Sequence, residues 1–278
     1  MTSNIYATLG EFKDYTVARG QSPSADTVDD SVIADLLESA SRFLDEKTGR
    51  EFYPSIATLL YDYPVSRELK LRADLLEVIS LTNGDGTAIA STDYVLETAN
   101  RTPYWKLKLR ATATTYWLPD TSNGTEQAIE LNGWFGFRSN YTQRAWKLAG
   151  TLGAAISDTT TLAFTMSSGH TVVPGHILKI GTEIYNVNTV ATNTVTPLAR
   201  GDNGSTAATH SNGASVYSWE PEEQARNAVL EIANSSYNRR FGKNTGESAR
   251  ITAAGVVLSP RDIPAMAEEF IKAHVRRV

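Results

Sequence analysis

The chain of 278 residues has no cysteine, which excludes disulfides, thiolate metal centres and cysteine nucleophiles and leaves packing and hydrogen bonding to hold the fold. Long apolar runs are missing too; none approaches the roughly 18 residues of a membrane span. The opening "MTSNIYATLGEFKDY" lacks the basic and apolar regions of a secretion signal, so a soluble, unprocessed protein is expected. Positive charge is short: 26 Lys and Arg against 31 Asp and Glu give a net charge of −5. That balance argues against avid binding to a phosphate backbone. Asn-x-Ser/Thr triplets at Asn100, Asn123, Asn140, Asn203 and Asn234 matter only in a secreted protein.

What is present is an ordinary globular balance, 41% hydrophobic and 21% charged, at a length that suggests two compact units. "TVDDSVIADLLESASRFLDEK", Thr27 to Lys47, sets Val32, Ile33, Leu36, Leu37, Ala40, Phe43 and Leu44 at helical spacing, with Gly49 just past the end. Thr27 and Asp30 stand as in a capping box. A shorter helix is expected around Leu9 to Ala18. Beyond Pro54 the period becomes that of strands. In "YWKLKLR", Trp105, Leu107 and Leu109 alternate with Lys106, Lys108 and Arg110, and "LLEVISLTNGDGTAI" and "AIELNGWFGF" read as further strands and turns. These predict a small sheet against the long helix.

From Trp146 to Trp219 the composition shifts to Thr, Ser, Asn, Gly and Val, with short strands and a two-residue hairpin at Gly181-Thr182. Helical spacing returns in "EPEEQARNAVLEIANSSYNRRF" and in "SPRDIPAMAEEFIKAHVRRV". The expected fold is α+β: a helical core (one long N-terminal helix, two C-terminal helices) with a small antiparallel sheet, plus an inserted all-β domain. Its divisions are 1–145, 146–219 for the inserted domain, and 220–278.

The densest cluster of polar and turn residues is "LARGDNGSTAATHSNGASVYSW", 198–219. Gly201, Gly204 and Gly213 do not make a G-x-G-x-x-G phosphate loop, and Lys243 in "FGKNTGES" is followed by Asn244 where Ser or Thr is required. Arg200-Gly201-Asp202 serves adhesion only outside a cell; Gly and Asn here suit a tight loop. His170, His176 and His210 share no ligand spacing with an acidic residue, so no metal is expected. Asp120, Glu126 and Glu130, or Ser168 beside His170, are the nearest approach to catalytic sets, and neither has a specific pattern. Neither an enzyme nor a cofactor is expected.

"DDSVIADLLESASRFLDEKTGREFYP", Asp29 to Pro54, resembles the opening of the head-tail connector (adaptor) proteins of tailed bacteriophages, where a helix ending in Thr-Gly-Arg and an aromatic leads into strands. "LLEVISLTNGDG", "TDYVLETANRTPYWKLKLR", "AIELNGWFGF" and the two last helices follow in that family's order. The segment 146–219 departs from short connectors, but "ILKIGTEIYNV" and "LARGDNGSTAATHSNGASVY" are similar to a β module of phage virion proteins, with a Gly-Thr-Glu hairpin, an Arg-Gly loop and a His-Ser-x-Gly-Ala return. The resemblance implies a virion protein of the head-tail neck, assembled in the host cytoplasm. It would bind the portal ring, form a ring with copies of itself (a dodecamer), meet a tail or second neck protein, and pass DNA through its lumen without specific binding or any membrane. It also implies that the C-terminal segment docks on the portal, through Phe270, Ile271, His274, Val275, Arg276, Arg277 and Val278. A carbohydrate-binding or decorating virion protein, with exposed Trp or Tyr on the β unit, is the alternative; a carboxylate-based hydrolase is the next.

Overall fold

The computed structural model describes residues 3–18, 27–122, 124–241, 250–251, 257–258 and 263–276. Five helices are described: α1 (Leu9–Ala18), α2 (Asp30–Thr48), α3 (Tyr141–Arg144), α4 (Glu223–Arg240) and α5 (Ala265–His274). In α2 the buried seam is Ile33, Leu37, Ala40 and Leu44, spaced four, three and four apart, while Leu36 and Phe43 are only half-buried. The helix stops because Gly49 takes φ 65° and donates its N–H to Asp45 O at 2.8 Å, a conformation that costs a glycine least. At the other end Asp29 is the N-cap and makes no side-chain cap bond, so the expected capping box does not form.

The helices pack on one another. The α2 seam meets Ala225, Ala228, Val229, Ala233 and Tyr237 of α4 and Ala267 and Phe270 of α5, and Tyr6 and Phe12 close the cluster from the N-terminal side. Alanines on α4 let the helix axes approach.

Two antiparallel sheets hold more of the described residues than the helices do. The first contains β1 (Ser55–Tyr61), β2 (Glu68–Thr82), β3 (Tyr94–Glu97), β4 (Tyr104–Leu109) and β5 (Ile129–Phe135) in the order β1-β5-β2-β4-β3. Alternation in β4 and β5 turns Leu107, Leu109, Ile129 and Leu131 onto one buried face with Leu69, Leu75 and Leu81 of β2. The register of β2 against β4 jumps from Lys70↔Lys106 to Leu75↔Tyr104, so Leu71 to Asp74 leave the ladder as a wide irregularity.

The second sheet contains β6 (Trp146–Thr151), β7 (Phe164–Thr165), β8 (Ile177–Ile180), β9 (Glu183–Ala191), β10 (Thr194–Pro197) and β11 (Ser215–Trp219), ordered β6-β11-β8-β9-β10-β7. Its core is separate and includes Phe164, Met166, Leu178, Ile180, Tyr185, Val195 and Val216. The first and last strands are paired, with Trp146 opposite Trp219. A short ribbon of β12 (Arg250–Ile251) and β13 (Val257–Leu258) lies between α4 and α5 in the chain.

The expected fold class is overturned. Helix is 25% of the described residues, and the protein is mostly β, not a helical core with a small sheet and an inserted β domain. Nor does the first sheet lie against α2. The two sheets also share a hydrophobic cluster in which Leu76 and Trp134 meet Tyr141, Ala145, Ile177, Ile184 and Trp219. Trp219 stands 5.0 Å from Trp146, centroid to centroid, and its indole N–H donates to Phe52 O at 3.0 Å. The helices gave the stronger periodic signal in the sequence, whereas irregular register in β2 hid the length of the longest strand.

Candidate functional site

The Gly181-Thr182 turn delivers Glu183 to the start of β9, opposite Ile180, with its side chain completely buried. The carboxylate is surrounded by donors. Oε1 accepts from Arg200 Nε at 2.8 Å and Gly201 N at 3.0 Å; Oε2 accepts from Arg200 Nη2 at 3.1 Å and Ala208 N at 2.9 Å and is paired with His210 Nε2 at 2.9 Å. Burial alone would push the Glu183 carboxyl up, but the Arg200 guanidinium, the Ala208 N–H and His210 outweigh it and hold it at about 2. Arg200 is itself consumed, donating also to the carbonyls of Asp158, Thr161 and Ala208.

The next residues of the loop reach the first sheet. Asp202 Oδ2 accepts from Asn186 N and Nδ2 at 3.2 and 3.1 Å. Asn203 donates Nδ2–H to Pro54 O at 2.9 Å, accepts Ile56 N–H at its carbonyl at 2.8 Å, and exchanges amide hydrogen bonds with Asn4. At Gly204, φ +77°, a Cβ would fall 2.0 Å from Ile56 O, so only glycine permits this approach. The Arg-Gly-Asp triplet is therefore bonded within the second sheet and its loops, the Arg200 side chain 5% exposed, and Asn203 and Gly204 make the clasp to the first sheet. The Gly-Thr-Glu, Arg-Gly and His residues singled out in the sequence converge on this one carboxylate.

The other chemical candidates stand apart. His170 is bonded through its ring to Thr192 O and Val172 N, with Ser168 exposed beside it. His176 accepts from Val173 N, and burial pushes its imidazole below its ordinary value. Asp120 caps its own turn through Ser122 N, and Glu126 and Glu130 face solvent. Lys243 lies outside the described residues. No group of three His, Asp or Glu side chains suited to a metal occurs among the described residues.

Of the C-terminal residues, Phe270 is buried in the helical core, 5.4 Å from Phe52 and stacked at 4.1 Å on His274, and Ile271 is half-buried against the same cluster. His274 Nδ1 is paired with Phe270 O, and its carbonyl accepts from Arg50 Nε at 2.7 Å. Val275 is exposed. Arg276 is tied back by its N–H to Thr48 O at 2.8 Å and by Nη2 to Leu71 O at 3.3 Å. Arg277 and Val278 lie outside the described residues. Phe270 and Ile271 thus pack within their own chain, while Val275 is exposed and Arg276 half-buried.

Arg276 reaches the irregular stretch of β2, where a cleft of about 890 Å³ opens between β2, β4 and the end of α5. Arg50, Lys70, Arg72, Asp74, Trp105 and Arg276 are among the residues that line it. Sequence reasoning did not single out Lys70 and Arg72; the signal was the alternation of "ELKLRAD", which buries Leu69 and Leu71 and turns the two cations outward. Comparison with known proteins finds no family model that matches the chain and no curated protein that matches its sequence.

Proposed function

We propose that the protein is a structural virion component of the head-tail connector type, which stacks as a ring on the portal, continues the DNA channel and carries the tail. The reading is supported by the meeting of three separate segments that carry the resemblance. Arg50 and Phe52 follow the α2 Gly49 turn, Phe137 closes the Gly-aromatic-Gly-aromatic run, and α5 ends the described chain. Phe52 lies 5.4 Å from both Phe137 and Phe270, and the Arg50 guanidinium sits 4.9 Å from the Phe137 ring while donating to His274 O. Residues that look like scattered ordinary positions in the sequence are one packed joint. An acidic protein also suits a channel through which DNA slides, because like charge limits adhesion. The carbohydrate-binding alternative asks for exposed rings on the six-stranded sheet, where Tyr185 and Trp219 are buried and Trp146 and Tyr217 half-buried.

Negative-stain electron microscopy of the purified protein mixed with portal rings of its phage tests the proposal. An added layer with the portal's symmetry is expected. Portal rings that stay bare in excess protein would overturn it.

A further inference from the structure

Four Asn-Gly steps lie wholly among the described residues, Asn83–Gly84, Asn132–Gly133, Asn203–Gly204 and Asn212–Gly213, and Asn123 of a fifth lies outside them. An asparagine followed by glycine is chemically labile, because no Cβ hinders the ring that forms when the next backbone nitrogen attacks the side-chain amide. The fold decides which of the four can react.

Three are locked. Asn83 is buried, and its amide donates to Tyr116 O at 2.7 Å and accepts from Leu118 N at 2.7 Å. Asn132 stands inside β5, paired with Thr58 on one side and Ser80 on the other. Asn203 spends its amide on Asn4 and Pro54. Their glycines have no room around them: a Cβ would fall 2.4 Å from Pro119 C at Gly84, 2.6 Å from Glu77 O at Gly133 and 2.0 Å from Ile56 O at Gly204.

Asn212–Gly213 differs in each respect. It is the tip of a turn closed by Ala214 N donating to Ser211 O at 3.1 Å. Asn212 is exposed, and its side chain has no hydrogen-bond partner among the described residues. A Cβ at Gly213, φ +77°, would meet nothing within 4 Å beyond its chain neighbours. One restraint remains, the Gly213 N–H donated to Leu152 O at 2.9 Å, and a single bond at an exposed turn opens at low cost.

We propose that Asn212 is a self-modification site, converted by loss of ammonia into an aspartyl or isoaspartyl residue. Gly213 N attacks Asn212 Cγ; as the N–Cγ bond forms, the Cγ–Nδ2 bond breaks, and the Gly213 amide proton leaves with Nδ2 as ammonia. Water then opens the cyclic imide. Cleavage of the new N–Cγ bond gives aspartate, whereas cleavage between Gly213 N and the Asn212 carbonyl carbon gives isoaspartate, with the backbone routed through the former side chain. Either product places a carboxylate on the turn. Isoaspartate also lengthens the backbone, pulling against the bonds at 2.9 Å that stitch the loop down: His210 with Ile156 in both directions, Gly213 N to Leu152 O, and Leu152 N to Ala214 O. The inference does not rest on the connector reading, since the reaction needs only this chain and water.

Peptide mapping by mass spectrometry of the full chain, sampled during incubation at mildly alkaline pH, supplies the test, with electron-transfer fragmentation to tell isoaspartate from aspartate. In the folded protein Asn212 should convert at least about tenfold faster than Asn83, Asn132 and Asn203, whose surroundings must open before they react. In guanidinium chloride the four should convert at similar rates, because the difference belongs to the fold. Conversion of Asn83, Asn132 or Asn203 as fast as Asn212 in the folded chain, or an Asn212 that stays intact when folded and converts only in denaturant, overturns the proposal.

Discussion

Glu183→Gln changes one atom and removes one charge, yet the surroundings of Glu183 leave the amide nowhere to go. Each carboxylate oxygen faces at least two donors: Arg200 Nε and Gly201 N on one side, Arg200 Nη2, Ala208 N and His210 on the other. Whichever way the glutamine amide turns, its NH2 confronts donors, and Arg200 becomes a buried cation without a counter-ion. Losing one partner of a buried pair costs about 3 to 5 kcal/mol. The titration agrees in size: the gap between the ordinary glutamate value and about 2 is worth roughly 3 kcal/mol. The sign follows, because a carboxyl held low stabilises the fold fully above its unfolded value and loses that contribution as pH falls toward about 2. Urea denaturation followed by tryptophan fluorescence should show a loss of about 3 to 5 kcal/mol at neutral pH, with the two proteins converging as the medium is acidified through that window. A loss below about 1 kcal/mol, the size of an ordinary hydrogen bond, or an unchanged difference at low pH, would refute the argument.

Gly204→Ala places a methyl 2.0 Å from Ile56 O at a φ that disfavours side chains; the loop should leave β1, seen as faster amide exchange at Ile56 and a lower melting temperature. Leu37→Ala should cost about 2 to 5 kcal/mol through cavity formation, and more than Leu36→Ala, because Leu37 is fully buried and Leu36 is not; chemical denaturation ranks them. Deleting residues 146–219 removes Ile177, Ile184 and Trp219 from the cluster that covers Leu76 and Trp134, so the remainder should bind an apolar dye and unfold without a cooperative transition. A shortened chain with a sharp transition and no dye binding would contradict the shared core.

Much of the local structure was legible where one residue type dictates one conformation. The α2 seam and Gly49 stop fall where apolar spacing and a left-handed cap put them, and the alternation in "YWKLKL" is β4. What the sequence hides is the long-range part. Trp134 and Ile184 look like members of separate strands, and nothing local says that they share a cluster. The irregular register of β2, which opens the cleft at Arg72, has no signature in a run that alternates regularly up to Leu71. Glu183 is the sharpest case. A glutamate just after a glycine turn reads as solvent-facing, and its burial depends on Arg200, Ala208 and His210 arriving from a loop whose composition suggests only a tight turn. The C-terminal residues show the same limit, because an apolar stripe reads alike in the sequence whether it meets a partner or, as with Phe270, its own chain.

The pairing of Trp146 with Trp219 has a mechanical meaning. The chain enters and leaves the six-stranded sheet through one doorway, two neighbouring strands whose outer ends lie side by side. A lobe attached only there would swing on that doorway, and tension across it would peel β6 from β11 one rung at a time instead of loading the ladder all at once. The Asn203 contacts to Asn4, Pro54 and Ile56 give the lobe a second anchorage, and two separated anchorages turn a hinge into a strut, able to hold its angle when neighbouring molecules push on it.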